Sequence, residues 1–379
     1  MLNLSSLFYS TTEAPIFLNN ITLEPDAEAF MASAREDVRQ CLRKRLPEVL
    51  HELGHDEVAV SPRFFPQGSW SYKTLNKPAW PQQQADIDDG VYLPLSFVQT
   101  AGRPSVASAV FFQATQTALA PLVKAKHWKL ITNKPTCIRI EIAANAHLDI
   151  PLYAIPDKEF ETLSKAALAK YGYDSFAEAL LMAERDAWTE LPQNQVLLAH
   201  REEDWIESDP RQVTKWFRNQ VEIHGEQFRR CVRYLKAWRD FQWESGGPSS
   251  ILLMAAAALH FEKRERRDDL ALLDVVAKLP AAFRAGIDDP VDSSKSLTDR
   301  LGTTGVKEVI AKLETLERFL RGALNASDSS QACTWVINQL GKRFPNQPSR
   351  IVQAGIAATV LAAPATVQAS KLVGRSQAG

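Results

Sequence analysis

Two carboxylates in the stretch ADIDDGVYLPL have the spacing of a metal site. Asp86 and Asp88 lie two residues apart in a run that predicts a β-strand, so their side chains share one face. Such a pair is costly to bury unless a divalent cation joins it, and Mg²⁺, or Mn²⁺ in its place, accepts carboxylate, water and phosphate oxygens. A third carboxylate, Asp149 in AHLDIPL, lies on a predicted neighbouring strand. Three carboxylates can hold two metal ions about 4 Å apart, which activates a hydroxyl group and stabilises a leaving pyrophosphate.

A Gly-Ser turn precedes the acidic strand. Gly68 allows close approach of the backbone, and successive N–H groups there can surround a phosphate, with the Ser69 hydroxyl as a further donor. A Gly-Ser pair alone is not specific, and neither is a D-x-D pair. Their order along the chain, with Asp149 on a later strand, predicts a site for a nucleoside triphosphate and metal ions.

Some neighbouring residues have a structural alternative. The sequence DDG also fits a surface turn, and Asp89 faces away from Asp86, so we expect Asp89 to cap or support the strand. His147 faces the same side as Asp149 and is either close to the metal ions or a packed histidine.

A basic segment lies in the second half of the chain. Residues 211–240 carry a surplus of five positive charges in a chain of net charge −1. Arg229, Arg233 and Lys236 recur at helical spacing and share one face. A triphosphate needs such a lining, whereas a solvated helix face with ion pairs is the alternative for most of these residues. Lys236 is our candidate phosphate contact.

The elements that must position these residues differ between the two halves of the chain. The first half predicts a long helix that starts with Asp26 as its N-cap, then two strands, a helix around 106–125 and a hairpin, which together form a mixed α/β layer. From about residue 206 the apolar spacing is helical throughout, and Ser208 or Asp209 before Pro210 predicts a helix start.

Composition excludes several classes of protein. The chain has 379 residues, 45% hydrophobic and 23% charged, which is typical of a globular protein. Its four scattered cysteines have no disulfide or zinc spacing, and we find no signal peptide and no apolar run of about 18 residues. We therefore expect a cytoplasmic protein that contacts neither membrane nor, as a requirement, nucleic acid.

Several motifs together resemble a known family. QGSWSYKTLNKP, DIDDGVYLP, HLDIPLYAIP, RRCVRYLKAWRDFQWESGGPSSILLM and a late RFP are similar to the bacterial cGAS/DncV-like nucleotidyltransferases, in particular the cyclic GMP-AMP synthase branch. These motifs stretch from about residue 60 to residue 345. The resemblance implies an α+β fold, with a polymerase-β-like nucleotidyltransferase core packed against a C-terminal all-helical domain. The predicted division is 1–205 for the core, 206–365 for the helical domain and 366–379 for a flexible tail.

The resemblance also assigns roles by position. It implies that Asp86, Asp88 and Asp149 bind two Mg²⁺ ions (Mn²⁺ possible) and perform the catalysis. The residues that it places at the nucleotides are Gln67, Gly68, Ser69, Tyr72, Arg139, Lys236, Ser249 and Ser250. Within that set, Tyr72 would stack on a base and Arg139 would reach a base edge.

The implied function is condensation of two NTPs, ATP and GTP being favoured, into a cyclic dinucleotide messenger of antiphage (CBASS) signalling, with cyclic GMP-AMP as the expected product. Two alternatives stay open: a template-independent nucleotidyltransferase acting on RNA, protein or a small molecule, and a catalytically silent nucleotide-binding protein. In this family some operons encode ubiquitin-transfer-like enzymes, and the small C-terminal residue Gly379 is a candidate for conjugation to such a partner; a merely disordered end is the alternative.

Overall fold

The structure, a computed structural model, describes residues 1–54, 61–96, 104–171, 195–202 and 205–353. The elements of the first half are β1 (Leu2–Asn3), α1 (Ser5–Phe8), α2 (Phe17–Asn20), α3 (Pro25–Glu52), β2 (Arg63–Gln67), α4 (Gly68–Ser71), β3 (Ala85–Pro94), α5 (Pro104–Ala125), β4 (Lys129–Ile131), β5 (Cys137–Ala143), β6 (Ala146–Ile155), α6 (Asp157–Tyr171), β7 (Leu197–Leu198) and β8 (Ile206–Glu207). Those of the second half are α7 (Pro210–His224), α8 (Glu226–Gln242), α9 (Ser250–His260), α10 (Asp268–Ala285), α11 (Gly302–Asn325), α12 (Ser329–Leu340) and β9 (Val352–Gln353), with single 3₁₀ turns at Asp299–Leu301 and Pro348–Arg350.

A mixed sheet forms the centre of the first half. Its strands run in the order β2-β3-β6-β5-β4, and β7 and β8 extend it beside β6. β3 and β6 are parallel, whereas β2 pairs with β3, and β5 with β6, in antiparallel fashion. The predicted mixed sheet and the hairpin of β5 and β6 are therefore confirmed. The fold class is α+β, as the family resemblance implied.

Helices α3 and α5 cover the apolar face of this sheet. α3 buries Val38, Leu42 and Leu46 at spacings of four against sheet residues such as Ile87. Asp26 is not its N-cap, as the sequence analysis expected, because the helix already begins at Pro25, and Glu24 occupies the cap position. Asp26 instead lies in the first turn, where the partial positive charge of the helix end favours a carboxylate.

Helix α5 departs from the expectation that the chain has no apolar run long enough to span a membrane. Residues Ser105–Ala125 of α5 form a stretch of 21 residues with a mean hydropathy of 1.3, and by length and composition this stretch qualifies as a candidate span. About half of the apolar 18-residue window within this stretch is buried inside the protein. Phe111, Phe112 and Leu119 pack into the core under the sheet, so the apolar composition of α5 serves that packing.

The chain's first residues belong to the core of the helical half. Leu4, Leu7, Phe8 and Phe17 are buried together with residues of α8, α10 and α12. The Leu4 amide donates to Asp269 at 2.8 Å. The division at residue 205 stays a prediction, but the residues of α1 and α2, placed in the nucleotidyltransferase core by that division, pack with the helical domain. The residues 366–379 of the predicted tail lie outside the described part of the chain.

The segment after α4 joins the two halves along helix α8. The Asn76 side chain donates to the Arg233 carbonyl at 2.9 Å and accepts from Arg233 Nε at 3.0 Å. Lys236 Nζ donates to the Thr74 carbonyl at 2.7 Å. These largely buried contacts hold residues 74–76 against α8.

Candidate active site

Strand register brings the predicted acidic residues onto one surface. In the parallel pair of β3 and β6, Asp86 lies beside His147, and Asp88 lies beside Asp149. All four side chains project from the same face, since paired residues and residues two apart share a face. The sequence prediction that Asp149 would come from an adjacent strand is confirmed.

The outer strands continue this surface in two rows. Gln67 on β2 pairs with Asp88, and Arg139 on β5 pairs with Asp149, so one row is Gln67, Asp88, Asp149 and Arg139. In the second row Asp86, His147 and Glu141 are neighbours. This row contains two carboxylates and an imidazole beside the carboxylates of the first row.

Gly68 begins α4 directly against the carboxylate of Asp88. Its φ is +64°, in the region that favours glycine, and a Cβ atom built there would be 1.9 Å from Asp88 Oδ2. Only glycine, which has no Cβ atom, allows the backbone of the Gly-Ser turn to lie this close to the acidic cluster. Ser69 is buried, and its hydroxyl oxygen has no hydrogen-bond partner among the described residues. This hydroxyl is available to a ligand.

The protonation of Asp88 reflects its surroundings. Burial, followed by the nearby charges of Asp86 and Asp149, raises the pKa of Asp88 to about 8. A divalent cation offsets the repulsion between carboxylates that lie this close together. Carboxylate oxygens are also the ligands that Mg²⁺ and Mn²⁺ prefer. By donor chemistry, the residues fit the predicted metal site.

Arg139 holds the third carboxylate of that site. Its Nε and Nη2 each donate to an oxygen of Asp149 at 2.7 Å, as a bidentate pair. Within the described residues, no three His, Cys, Asp or Glu side chains already stand in the arrangement of metal ligands. Asp149 would join Asp86 and Asp88 on leaving Arg139. A contact between Arg139 and a base edge stays a prediction.

Asp89 faces the opposite side, as the alternation along the strand predicted. Its carboxylate accepts from Arg39 Nε at 2.6 Å and from Arg39 Nη2 at 2.5 Å, beneath helix α3. Asp89 therefore ties β3 to α3 and takes no part in the acidic cluster.

Two cavities open on either side of the carboxylate pair. Asp88 lines the larger, of about 840 Å³, together with Gln67, Gly68 and Tyr72. Asp86 lines the smaller, of about 230 Å³. The larger cavity is in the size range of small-molecule sites, and the two carboxylates, two residues apart on β3, line one cavity each.

Lys236 reaches the smaller cavity from α8. It is buried, and this burial lowers the pKa of its amine to about 8. Arg239, one turn further along α8, lines the same cavity and donates to the Ser250 hydroxyl at 3.3 Å. Ser249 has a different role here, because its hydroxyl caps α9 by accepting from the Leu252 amide at 3.3 Å.

Gln67 and Tyr72 are held in place by neighbours. The Gln67 amide donates to the Tyr153 hydroxyl at 3.2 Å. The Tyr72 ring packs on Phe217 of α7 with centroids 5.5 Å apart, and burial raises the pKa of its hydroxyl to about 12. Both side chains line the larger cavity, although stacking of a base on Tyr72 stays a prediction.

Sequence reasoning missed one wall of the larger cavity. The segment between α10 and α11 supplies Asp289, Asp292, Lys295 and Arg300. This segment has no periodicity or motif, and it reaches the cleft only because the helices pack as they do. A cluster of alternating charges in DDPVDSSKSLTDR was the only available signal.

Comparison with known proteins covers both halves of the chain. Residues 62–153 match the family model of the nucleotidyltransferase domain of DncV-like cyclic GMP-AMP synthases, and residues 225–353 match that of the cyclic GMP-AMP synthase C-terminal domain. The cyclic GMP-AMP synthase of Escherichia coli strain TW11681 is 35% identical over 331 residues, which are 84% of this chain and 74% of that protein.

Solved structures agree with this match. The Vibrio cholerae DncV cyclic AMP-GMP synthase in complex with the linear intermediate 5′ pppA(3′,5′)pG superimposes with a TM-score of 0.78 at 26% identity, covering 93% of this chain and 99% of that one. A variant of the V. cholerae enzyme in complex with ATP, GTP and 5MTHFGLU2 has a TM-score of 0.76 at 27% identity, covering 93% and 100%.

Proposed function

The chain belongs to the bacterial cGAS/DncV-like nucleotidyltransferases and is a cyclic-dinucleotide synthase, and from this premise we propose that it condenses ATP and GTP into cyclic GMP-AMP. One observation carries the proposal. The Gly68 turn contacts the Asp88 carboxylate, which lines the larger cavity, while Asp86, two residues earlier on the same strand, lines the smaller one. The names of the relatives support the choice of product.

The chain's own groups suit the binding of a triphosphate. The amides at the start of α4 and the unpartnered Ser69 hydroxyl would donate to phosphate oxygens of the donor nucleotide. Lys236, with Arg239 beside it, adds positive charge in the smaller cavity. Ser250 lines that cavity and is the better placed of the two serines, because the Ser249 hydroxyl is used as a helix cap.

Asp86, Asp88 and Asp149 would hold the divalent metal ions. When bound, these ions lower the pKa of the attacking hydroxyl group and neutralise the leaving pyrophosphate. Asp149 is the carboxylate that we assign to the attacking hydroxyl, and Arg139 keeps it oriented along the row until a metal ion binds. The buried walls restrict water around Asp88, which strengthens charge interactions there.

The second half of the reaction requires the linear intermediate to turn within the cleft. The larger cavity of about 840 Å³ has room for this, and its wall from the helical half offers both charge signs, Asp289 and Lys295, to base edges. Tyr72 and Arg139 are our candidates for contact with a base. Cyclisation follows when the free hydroxyl group of the intermediate attacks the α-phosphate of the remaining triphosphate and a second pyrophosphate leaves.

Product analysis tests the proposal. The purified protein is incubated with ATP, GTP, CTP and UTP and with Mg²⁺ or Mn²⁺, then treated with phosphatase, and the resistant products are identified by mass spectrometry. We expect a species with the mass of cyclic GMP-AMP. Linear, phosphatase-sensitive products alone would contradict the proposal and favour transfer to another acceptor.

Variants connect the product with the site. Replacing Asp86 and Asp88 by Ala removes two proposed metal ligands, and we expect product formation to fall by at least about 10³-fold, the scale of lost electrostatic stabilisation in active sites. Asp26→Asn is the matched control, because that carboxylate is exposed on α3. Unchanged turnover in the double variant would remove the assignment of the metal site.

The biological setting is part of the proposal. We propose that the product is a second messenger of antiphage defence in the cytoplasm, where NTPs are available, and that a ubiquitin-transfer-like partner conjugates the chain through Gly379. Gly379 lies outside the described residues. Phage titres on cells that carry the intact operon or the Asp86/Asp88 variant test the first statement. Intact-mass analysis with and without the partner tests the second, and a mass unchanged by the partner would contradict it.

A further inference from the structure

His147 presents a buried nitrogen without a partner to the acidic cluster. The residue is 6% exposed, and its Nε2 has no hydrogen-bond partner among the described residues. A buried polar atom of this kind is costly unless something binds it. Neither the proposed reaction nor the packing described so far uses it.

A second contact fixes the tautomer of the imidazole. The Gln84 Nε2 amide donates to the Ala144 carbonyl at 3.2 Å, which leaves the amide oxygen of Gln84 as an acceptor. His147 Nδ1 lies 2.9 Å from that oxygen and must therefore donate a proton to it. In a neutral imidazole with its proton on Nδ1, Nε2 carries a lone pair. Metal-binding histidines typically have this arrangement, in which the other ring nitrogen donates to a fixed oxygen.

The free lone pair lies where the acidic cluster needs a ligand. Nε2 is 3.9 Å from Asp149 Oδ2. Two ligands of one octahedral cation, each about 2.1 Å from it, are about 3.0 Å apart when adjacent and about 4.2 Å apart when opposite. The observed 3.9 Å lies between these two values, so Asp149 moves about 1 Å closer to Nε2 when the two atoms take adjacent positions on one cation. Asp86 is the strand partner of His147 and projects from the same face.

We propose that His147 Nε2 is a ligand of the metal ion bound at Asp86 and Asp149, so that one cation of this site has a nitrogen in its coordination sphere. This inference rests on the proposed function, which supplies the carboxylate ligands. An imidazole ligand favours Mn²⁺ and other transition metals over Mg²⁺, which prefers oxygen. His147 thereby sets the metal preference of the synthase.

Pulsed electron paramagnetic resonance of bound Mn²⁺ tests the inference without requiring enzymatic turnover. The untagged full-length protein is loaded with one equivalent of Mn²⁺ in the absence of nucleotide, so that protein nitrogen is the only source of a directly bound ¹⁴N. We expect an imidazole ¹⁴N modulation that changes to that of ¹⁵N when only the histidines are labelled. This labelling experiment needs no variant and is therefore independent of folding effects.

The variant His147→Asn tests whether the nitrogen bound to Mn²⁺ comes from this histidine. An asparagine amide can keep the contact with Gln84 but does not reach the position of Nε2. We expect loss of the nitrogen modulation, Mn²⁺ binding weakened on the order of 10-fold, and Mg²⁺ binding changed less than about 3-fold. His51→Gln, at an exposed end of α3, is the matched control and should keep the modulation.

The outcomes separate the two levels of the proposal. If Mn²⁺ binds in a manner that depends on Asp86 and Asp88 but shows no histidine nitrogen, the inference is wrong and the proposed metal site stands. If the wild-type protein binds no Mn²⁺ even with a nucleotide present, the proposed metal site fails, and the inference fails with it. A modulation that persists in His147→Asn overturns the assignment to this residue.

Discussion

At the scale of single residues, burial acts on two charges that face the cleft from opposite walls. Burial raises the pKa of Asp88 to about 8 and lowers that of Lys236 to about 8. Each group is thus partly neutral near physiological pH when only protein surrounds it. A divalent cation favours the charged form of Asp88, and a phosphate favours that of Lys236. Binding of a metal–nucleotide complex therefore favours the charged forms of both Asp88 and Lys236.

The raised pKa of Asp88 predicts a pH-dependent stability of the metal-free protein. Because the folded pKa lies above the unfolded value of 3.8, the stabilising contribution is present below about pH 4 and is lost as pH rises through about 8. From about pH 5 to about pH 7.5 we expect the melting temperature of wild type to fall relative to that of Asp88→Asn, by on the order of 2–4 °C. Thermal denaturation in chelator measures this.

Two comparisons make that experiment specific. Lys236 adds only a small slope at the upper end of the same interval, because its lowered pKa of about 8 leaves it mostly charged below about pH 7 in the folded protein. Asp292→Asn is the control, since hydrogen bonds from Lys295 and Ser294 lower the pKa of this exposed carboxyl to about 2. Parallel wild-type and Asp88→Asn curves would show that Asp88 is ionised throughout.

Gly68 gives a steric prediction. An alanine Cβ would meet Asp88 Oδ2 at 1.9 Å, so the carboxylate must move away from its neighbours in the acidic cluster. We expect Gly68→Ala to lose at least about 100-fold in turnover, the scale that a displacement of about 1 Å costs at reacting groups. Gly54→Ala is the matched control, because φ is also positive there (+83°) but no atom of the described residues lies within 4 Å of the added atom. Equal activities of the two variants would contradict the role of the turn.

At the scale of elements, the sequence predicted which side chains share a face but not every neighbour of that face. A period of two along β3 placed Asp86 and Asp88 on one face, and Asp149 joins them through the register of β3 with β6. The ion pair of Arg139 with Asp149 depends on the register of the hairpin, which alternation alone does not give. Residues 286–301 reach the cleft through the packing of α10 and α11, and no local pattern encodes this.

Helix α12 offers an element far from the chemistry for a stability test. The carboxylate of Asp328 accepts from the amides of Ser330 and Gln331 at the start of the helix. We expect Asp328→Ala to lower the free energy of unfolding by about 1 kcal/mol in urea titrations, with turnover at 25 °C unchanged. Asp328→Ser keeps an N-cap acceptor and should recover most of the loss. No difference between Ala and Ser would mean that the cap contributes nothing.

At the scale of the whole molecule, the chain's beginning is a structural part of the helical half. Phe8 is fully buried, and its ring centroid lies 5.2 Å from that of Tyr234 and 5.0 Å from that of Phe344. The sequence division into halves did not anticipate this, because four-residue helices such as α1 show no periodicity. The hydrophobic core behind the helical wall of the cleft therefore combines residues from three distant parts of the chain.

This packing predicts a large effect of a substitution close to the N-terminus. Phe8→Ala leaves a cavity among aromatic rings, and we expect a loss of about 3–5 kcal/mol in the free energy of unfolding. Chemical denaturation followed by tryptophan fluorescence measures it. Phe30→Ala, at a 44% exposed position on α3, removes the same side chain from the surface and should change stability by less than about 0.5 kcal/mol. Comparable losses in both variants would contradict the packing.

The same feature has a consequence for how the protein is made. The hydrogen bond between the Leu4 amide and Asp269 joins residues 265 positions apart, so Leu4 leaves the ribosome long before its partner is synthesised. At about 5–20 residues per second the delay is on the order of 13–53 s. The β-sheet can form during that interval, but the helical wall of the cleft cannot close. A nascent chain therefore holds its acidic strands before it has a complete pocket, and we expect nucleotide turnover to begin only after the helical half has been synthesised.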